Sequence, residues 1–260
     1  MIQRAKIVAG ALAVGLTLTH AAAVAQTTPD NEDALRCQNR VSRGIARLMW
    51  NQFRCVQKCV TRLRKTMGPY AECRPPYLGP TAECMREPLK GAEAKARYSI
   101  ATGCFTDCPD CYADGFACPD GAPFVGSTEG RFDVFGELAY CLEGADATPT
   151  MAQARCEDYV MKALAKYVMA ANKCYVHCVD DEFAGEIPPD SCVAPTPSDE
   201  ATQTCLATAA ARAAAVIDKT CAESSGNPPC YGVLLDSGME WAALFEAASQ
   251  VDQPLIYCGP

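Results

Sequence analysis

A chain of 260 residues, 49% of them hydrophobic and 21% charged, allows one large domain or two small ones. Its formal net charge of −8 excludes binding of nucleic acid through bulk positive charge, and no nucleic-acid partner is expected. The 18 cysteines are an even number, which points to disulfides if the chain is exported.

Residues 1–25 have the features of a cleaved signal peptide. Arg4 and Lys6 form a basic start, Ile7 to Leu18 an apolar run, and Ala23-Val24-Ala25 a small-residue cleavage site before Gln26. No later stretch approaches the roughly 18 apolar residues of a membrane span. The expected location is periplasmic or extracellular, where thiols oxidise to disulfides.

From Cys37 the cysteines follow one ruler twice. Cys37-x17-Cys55-x3-Cys59-x13-Cys73 recurs as Cys156-x17-Cys174-x3-Cys178-x13-Cys192, an internal duplication offset by 119 residues. Repeat 1 (26–145) then holds ten cysteines and repeat 2 (146–260) eight. Further on, Cys111-Tyr112 matches Cys230-Tyr231, and Tyr140-Cys141 matches Tyr257-Cys258.

Between the cysteines the patterning is helical. From Arg36 to Lys65 apolar residues recur at three and four, without proline. The second copy starts at a capping box, Thr150-x-x-Gln153, and runs to about Val179. Returning helices are predicted from Pro88 to about Cys104 and from Glu200 to about Cys221, both rich in alanine. A short third helix is predicted at Arg131 to Tyr140, and another after Ser237-x-x-Glu240. Gly68 to Pro80, Cys118 to Gly126 and Pro188 to Pro197 read as loops.

Helix length suggests the pairing. Cys37 and Cys55 lie five turns apart on one line roughly 27 Å long, and a returning helix of about 16 residues spans roughly 24 Å. Staples at both ends give Cys37–Cys104 and Cys55–Cys84, with Cys59 reaching Cys73 in the loop. The second copy repeats them as Cys156–Cys221, Cys174–Cys205 and Cys178–Cys192. Cys111–Cys141 and Cys230–Cys258 would tie down the third helices, and Cys108–Cys118 is extra. Each long-loop bridge restricts the unfolded chain by about 4 kcal/mol in the entropy model, which compensates for the small apolar area of an alanine-rich core.

Charge supplies the functional lead. Gln26 to Thr106 carries 14 basic and 7 acidic residues, whereas Asp107 to Pro260 carries 7 and 24. On a helix Arg36, Arg40, Arg43, Arg47, Arg54, Lys58 and Lys65 fall within about 60° of arc, with Arg62 beside them and the apolar residues opposite. This ridge reads either as a solvated face balancing the acidic half or as a contact for anionic surfaces, polyanions or an acidic partner. The second copy keeps Arg155, Lys162, Lys166 and Lys173 on the corresponding line. Trp50, near the ridge, is a candidate contact residue.

Signals for catalysis are sparse. His177 sits in Cys174-x-x-His177-Cys178, but its repeat counterpart is Lys58, so the position reads as an exposed polar helix site. Cys108-Pro-Asp-Cys111 has dithiol spacing without the strand-to-helix context that motif needs. Asp107, Asp110, Asp114 and Asp120 miss the EF-hand spacing. Cys55/Cys59, Cys104/Cys108 and Cys174/Cys178 share the i, i+4 spacing with which a helical bundle can hold Cu(I).

The sequence therefore predicts an all-α exported protein of two tandem disulfide-stapled antiparallel helical hairpins, each with a short third helix. It is expected to be a binding or scaffold protein without catalytic residues, cofactor or metal. A Cu(I)-binding cysteine-rich bundle and a small secreted hydrolase are the alternatives.

Overall fold

The computed structural model describes residues 29, 31–66, 70–105, 108–112, 118, 121–141, 149–221, 226–232, 235, 237–250 and 252–258. The expected signal peptide and most of the acidic loop (Asp107, Asp114, Asp120) lie outside them. The described residues are helical without a strand, and none of their helices is long and apolar enough to cross a membrane. In chain order they are α1 (Glu32–Thr66), a 3-10 turn at Tyr70–Cys73, α2 (Gly79–Arg86), α3 (Ala92–Gly103), a 3-10 turn at Asp110–Tyr112 and α4 (Ala122–Ala139). Then come α5 (Met151–Phe183), α6 (Glu200–Cys221), a 3-10 turn at Pro229–Tyr231, α7 (Gly238–Gln250) and α8 (Asp252–Ile256).

Two long helices organise the rest. α1 has 35 residues and α5 has 33. The Asn31 side chain accepts from the Ala34 N–H at 2.8 Å, while Glu32 and Asp33 at the start of α1 and Arg64 and Lys65 at its end suit the helix dipole. α5 starts at the complete capping box of Thr150 and Gln153. The box at Ser237 and Glu240 opens α7 in the same way.

Three boundaries differ from the sequence expectation. Pro88 does not start the returning helix; it lies in a turn between α2 and α3, and α3 begins at Ala92 after Gly91. The residue before a proline is pushed out of the α region, and Glu87 has left it, with ψ 127°. Hence α2, which the patterning missed, ends at Arg86. The third helix starts at Ala122 rather than Arg131, because Pro123 suits a first turn and Phe124, Val125 and Thr128 are buried.

α1 packs on α3 along one side and on α5 along another; α5 packs in turn on α6, and α6 on α7. Contacts at both ends show that α1 and α5 run antiparallel: Arg64 meets Glu157 and Asp158, and Asn39 Nδ2 donates to Asp180 Oδ1 at 2.7 Å. The core beneath this seam is common to both halves. Its main cluster includes Phe53, Val56 and Val60 of α1, Phe132 and Phe135 of α4, Leu164 and Tyr167 of α5, and Trp241 and Phe245 of α7. A second cluster unites Val41, Ile45 and Ile100 with Tyr175, Val179 and Tyr257. Polar groups also cross: Asn172 Nδ2 donates to the Ser42 carbonyl at 2.9 Å, and Gln253 Nε2 donates to Asn172 Oδ1 at 2.8 Å.

Within the halves the structure joins Cys37–Cys104, Cys55–Cys84, Cys59–Cys73 and Cys108–Cys118, then Cys156–Cys221, Cys174–Cys205 and Cys178–Cys192. The expected Cys111–Cys141 and Cys230–Cys258 are absent. Cys111 bonds Cys258, and Cys141 bonds Cys230. Antiparallel packing of α1 and α5 explains the exchange, since it lays the end of each half's chain against the Cys-Tyr turn of the other. The same turns hydrogen-bond across: Tyr112 Oη donates to the Ile256 carbonyl, and Tyr231 Oη to the Ala139 carbonyl at 2.7 Å. Cys141 and Cys258 both adopt a left-handed backbone, at φ 51° and 58°. The two ends are thus clasped reciprocally.

One proteolytic cut between Cys141 and Cys156 should therefore leave the halves covalently joined. They should stay together on a non-reducing gel and separate after reduction; separation without reductant would restore the pairing within each half.

Candidate anion-binding face

The basic residues of α1 lie on its outer side. On the helical wheel the α3 contact at Gly44 and the α5 contact at Ser42 flank the ridge, about 60° to one side and about 140° to the other. Arg36, Arg40, Arg43, Arg47, Arg54, Lys58, Arg62 and Lys65 are all exposed. Two are paired, both with acids of the N-terminal half: Arg36 with Glu32 (3.3 Å) and Asp33 (2.8 Å), and Arg62 with Glu72 (2.6 Å). Arg40 lays its aliphatic stem against Gly103. Among the described residues Arg40, Arg43, Arg47, Arg54, Lys58 and Lys65 have no ion pair.

α5 adds a second line. Arg155, Lys166, Lys173 and His177 are exposed and Lys162 is half-buried. In an antiparallel pair, lines displaced in the same sense from their mutual contact fall on one side of the seam. Near the end of α1 they meet in a groove of about 430 Å³, lined by Gln57, Thr61, Arg64 and Lys65 of α1 and by Arg155, Asp158, Tyr159 and Lys162 of α5. The Tyr159 ring lies 5.8 Å from the Arg155 guanidinium and 5.3 Å from the Lys162 ammonium, close enough for cation–π attraction to both.

An ion cluster reaches into this groove: Arg64 and Asp158 line it, and Glu157 is buried beside them. Arg64 donates through Nη2 to Glu157 Oε2 at 2.5 Å and through Nη1 to Asp158 Oδ2 at 3.0 Å, with side-chain exposures of 16%, 3% and 22% for Arg64, Glu157 and Asp158. Tyr140, at the end of α4, places its ring 6.0 Å from the same guanidinium. Burial pushes the Glu157 carboxyl up to about 7, further than Arg64 can lower it while also serving Asp158. Burial raises the Asp158 carboxyl as well, against the pull of Arg64. The phenols of Tyr140 and the neighbouring Tyr231 are raised well above their ordinary value by burial, so both stay neutral.

The other sequence-derived sites are not assembled into chemistry here. His177 stands exposed on the outer face of α5. Trp50 is half-buried against Phe53, their ring centroids 5.7 Å apart. Cys108 and Cys111 bond different partners, so they cannot cycle as a dithiol. The sulfurs of Cys37, Cys104 and Cys118 lie within 4.8 Å of one another, but all three are in disulfides and present no thiolate. Sequence reasoning missed Arg64, Glu157, Asp158 and Tyr159. Arg64 was visible only as the basic residue furthest from the ridge line, which is where the wheel places the contact with α5.

No family model, curated protein or solved structure matches this chain.

The buried carboxyls predict a pH dependence of stability. Burial is the largest cause of each rise: Glu157 to about 7, Asp252 beside Arg131 to about 6, and Glu129, which faces Glu93, to about 8. Folding favours the protonated form of each. That stabilisation is complete below the ordinary carboxyl range and is lost as pH rises through 6 to 8. The unfolding temperature of the oxidised protein should therefore fall between pH 5 and pH 8.5. Glu157→Gln should flatten the part of the slope between pH 6 and 8; a slope identical to the parent's would contradict this.

Proposed function

We propose that the chain is an exported, disulfide-locked binding or scaffold protein rather than an enzyme. Its proposed architecture is a tandem duplication of a stapled helical hairpin, and its contact surface for an anionic surface or partner is the cationic face of α1 and α5. Corresponding bridges of similar span favour the duplication: sequence separations of 67 and 65 for the first staples, 29 and 31 for the second, and 14 for both third ones. Nine disulfides suit an oxidising compartment.

One observation carries the functional reading. A face that merely balances the acidic half would have its cations paired with that half's carboxylates. Instead, six consecutive members of the ridge line other than Arg62 lack an ion pair among the described residues, and the pairs of Arg36 and Arg62 are local. Arg64, which does bond the acidic half, lies off the ridge. Among the described residues this line of cations is thus left without acidic partners, although like charges side by side repel. The arrangement favours a long, linear anion: Arg40 to Lys65 spans about 38 Å of helix.

Charge reversal at Arg43, Arg47 and Arg54 should abolish retention on a sulfated matrix at ~0.1 M salt while helical content is unchanged, and retention of the parent should weaken as salt shortens the screening length. Unchanged retention of the variant would refute the reading. The copper alternative needs thiolates, yet all 18 cysteines are bridged. Intact mass after denaturation with iodoacetamide should show no added carbamidomethyl group; several added groups would return the thiol-based alternatives.

A further inference from the structure

The groove at the α1/α5 seam differs from the rest of the cationic face because its donors converge. Lys65 approaches from α1, and Arg155 and Lys162 from α5, each of the latter held against Tyr159. The Thr61 hydroxyl and the Gln57 amide add neutral donors, and the volume of about 430 Å³ lies within the usual range for small-ligand sites. A planar carboxylate is satisfied by one forked guanidinium, whereas here the Arg155 fork is joined by the Lys65 and Lys162 ammoniums, and the Arg64 fork is already spread over Glu157 and Asp158. What the groove offers an anion is one fork and two point charges from two walls, with Asp158, held by Arg64, on the same lining. That set suits a tetrahedral ester oxyanion with three acceptor oxygens.

We propose that this groove is a binding site for a sulfate or phosphate monoester group, the anchoring unit of a linear anionic polysaccharide laid along α1, and that the Arg64–Glu157–Asp158 cluster, two of whose members line the groove, sets its affinity. The proposal rests on the anion-binding reading of the α1/α5 face. With both carboxylates charged, the cluster carries a net charge of −1 and opposes an anion in the groove. When Glu157 is protonated the cluster becomes neutral, and the guanidinium has one carboxylate to serve instead of two. The groups facing Glu157 are Arg64 from α1, Tyr140 from the end of α4, Tyr231 from the 3-10 turn and Asp158 on α5 itself. The two phenols are neutral and Arg64 is permanently charged, so the carboxyls alone titrate, and Glu157 does so near neutral pH. Removing one negative charge within several ångströms of the ligand should tighten binding on the order of tenfold.

The test is calorimetric titration of the oxidised full chain with 4-nitrophenyl sulfate, whose charge is constant between pH 5.5 and 8. Binding should be about tenfold tighter at pH 5.5, and 4-nitrobenzoate should bind more weakly. Arg155→Gln with Lys162→Gln, both near the surface and away from the core, should lose at least tenfold. Glu157→Gln should bind tightly at both pH values. Parent-like binding by the Arg155/Lys162 variant would overturn the site, as would equal affinity for the carboxylate. The Arg43/Arg47/Arg54 charge-reversal variant should keep binding the monoester even as it loses the sulfated matrix, so the site and the face can fail separately. Dextran sulfate should displace the probe, and vesicles of phosphatidylcholine with 20 mol % phosphatidic acid should not. Displacement by the vesicles alone would assign the site to a membrane and overturn the polysaccharide assignment.

Discussion

The antiparallel seam between α1 and α5 is the contact on which the rest of this protein depends. It sets the main core, since Phe53 and Val56 from one helix meet Leu164 and Tyr167 from the other with Phe135 and Phe245 packed against the same cluster. It also decides which cysteines meet. Once the two long helices run in opposite directions, the end of each half's chain lies against the Cys-Tyr turn of the other half. Cys111–Cys258 and Cys141–Cys230 then close the seam at both extremities. Neither half retains its full covalent framework without the other.

The same seam carries an electrostatic cost that the fold absorbs. Two lines of basic residues run along neighbouring helices, and Asp158, which lies at the seam between them, is engaged by Arg64. Repulsion among exposed cations is modest in water and screened by salt, whereas the core beneath and the disulfides do not depend on salt. Nine disulfides can therefore hold together helices whose exposed cations, among the described residues, are mostly unpaired.

Much of the fold was legible because helical periodicity and cysteine spacing are local quantities. The extent of α1 and α5 follows from apolar residues at three and four, and the capping boxes at Thr150 and Ser237 are readable from four residues each. The staples inside each half follow from matching the lengths of adjacent helices. The errors came where local signals compete with packing. Gly126 and Gly130 argue against helix in the region before Arg131, yet burial of Phe124 and Val125 extends α4 through both. Pro88 suited a first helical turn equally well, but its constraint on Glu87 ended α2 instead. For the candidate site, the ridge of α1 was legible as an arc on one helix. The groove was not, because Lys65 and Arg155 are 90 residues apart and belong to different helices.

Local patterning along the chain is enough to show that it is helical, that its cysteines suit stapled helix pairs, and that one helix carries an uninterrupted basic ridge. Each of these depends on residues within one helix or one hairpin, where spacing translates directly into distance. The tertiary structure alone decided the exchange of Cys111 and Cys141 between halves, the union of two basic lines on one face, and the burial of Glu157 beside Arg64. Two copies of one spacing cannot specify which copy a cysteine pairs with. That choice belongs to the direction in which α1 packs on α5, and the packing direction is set by the shared core.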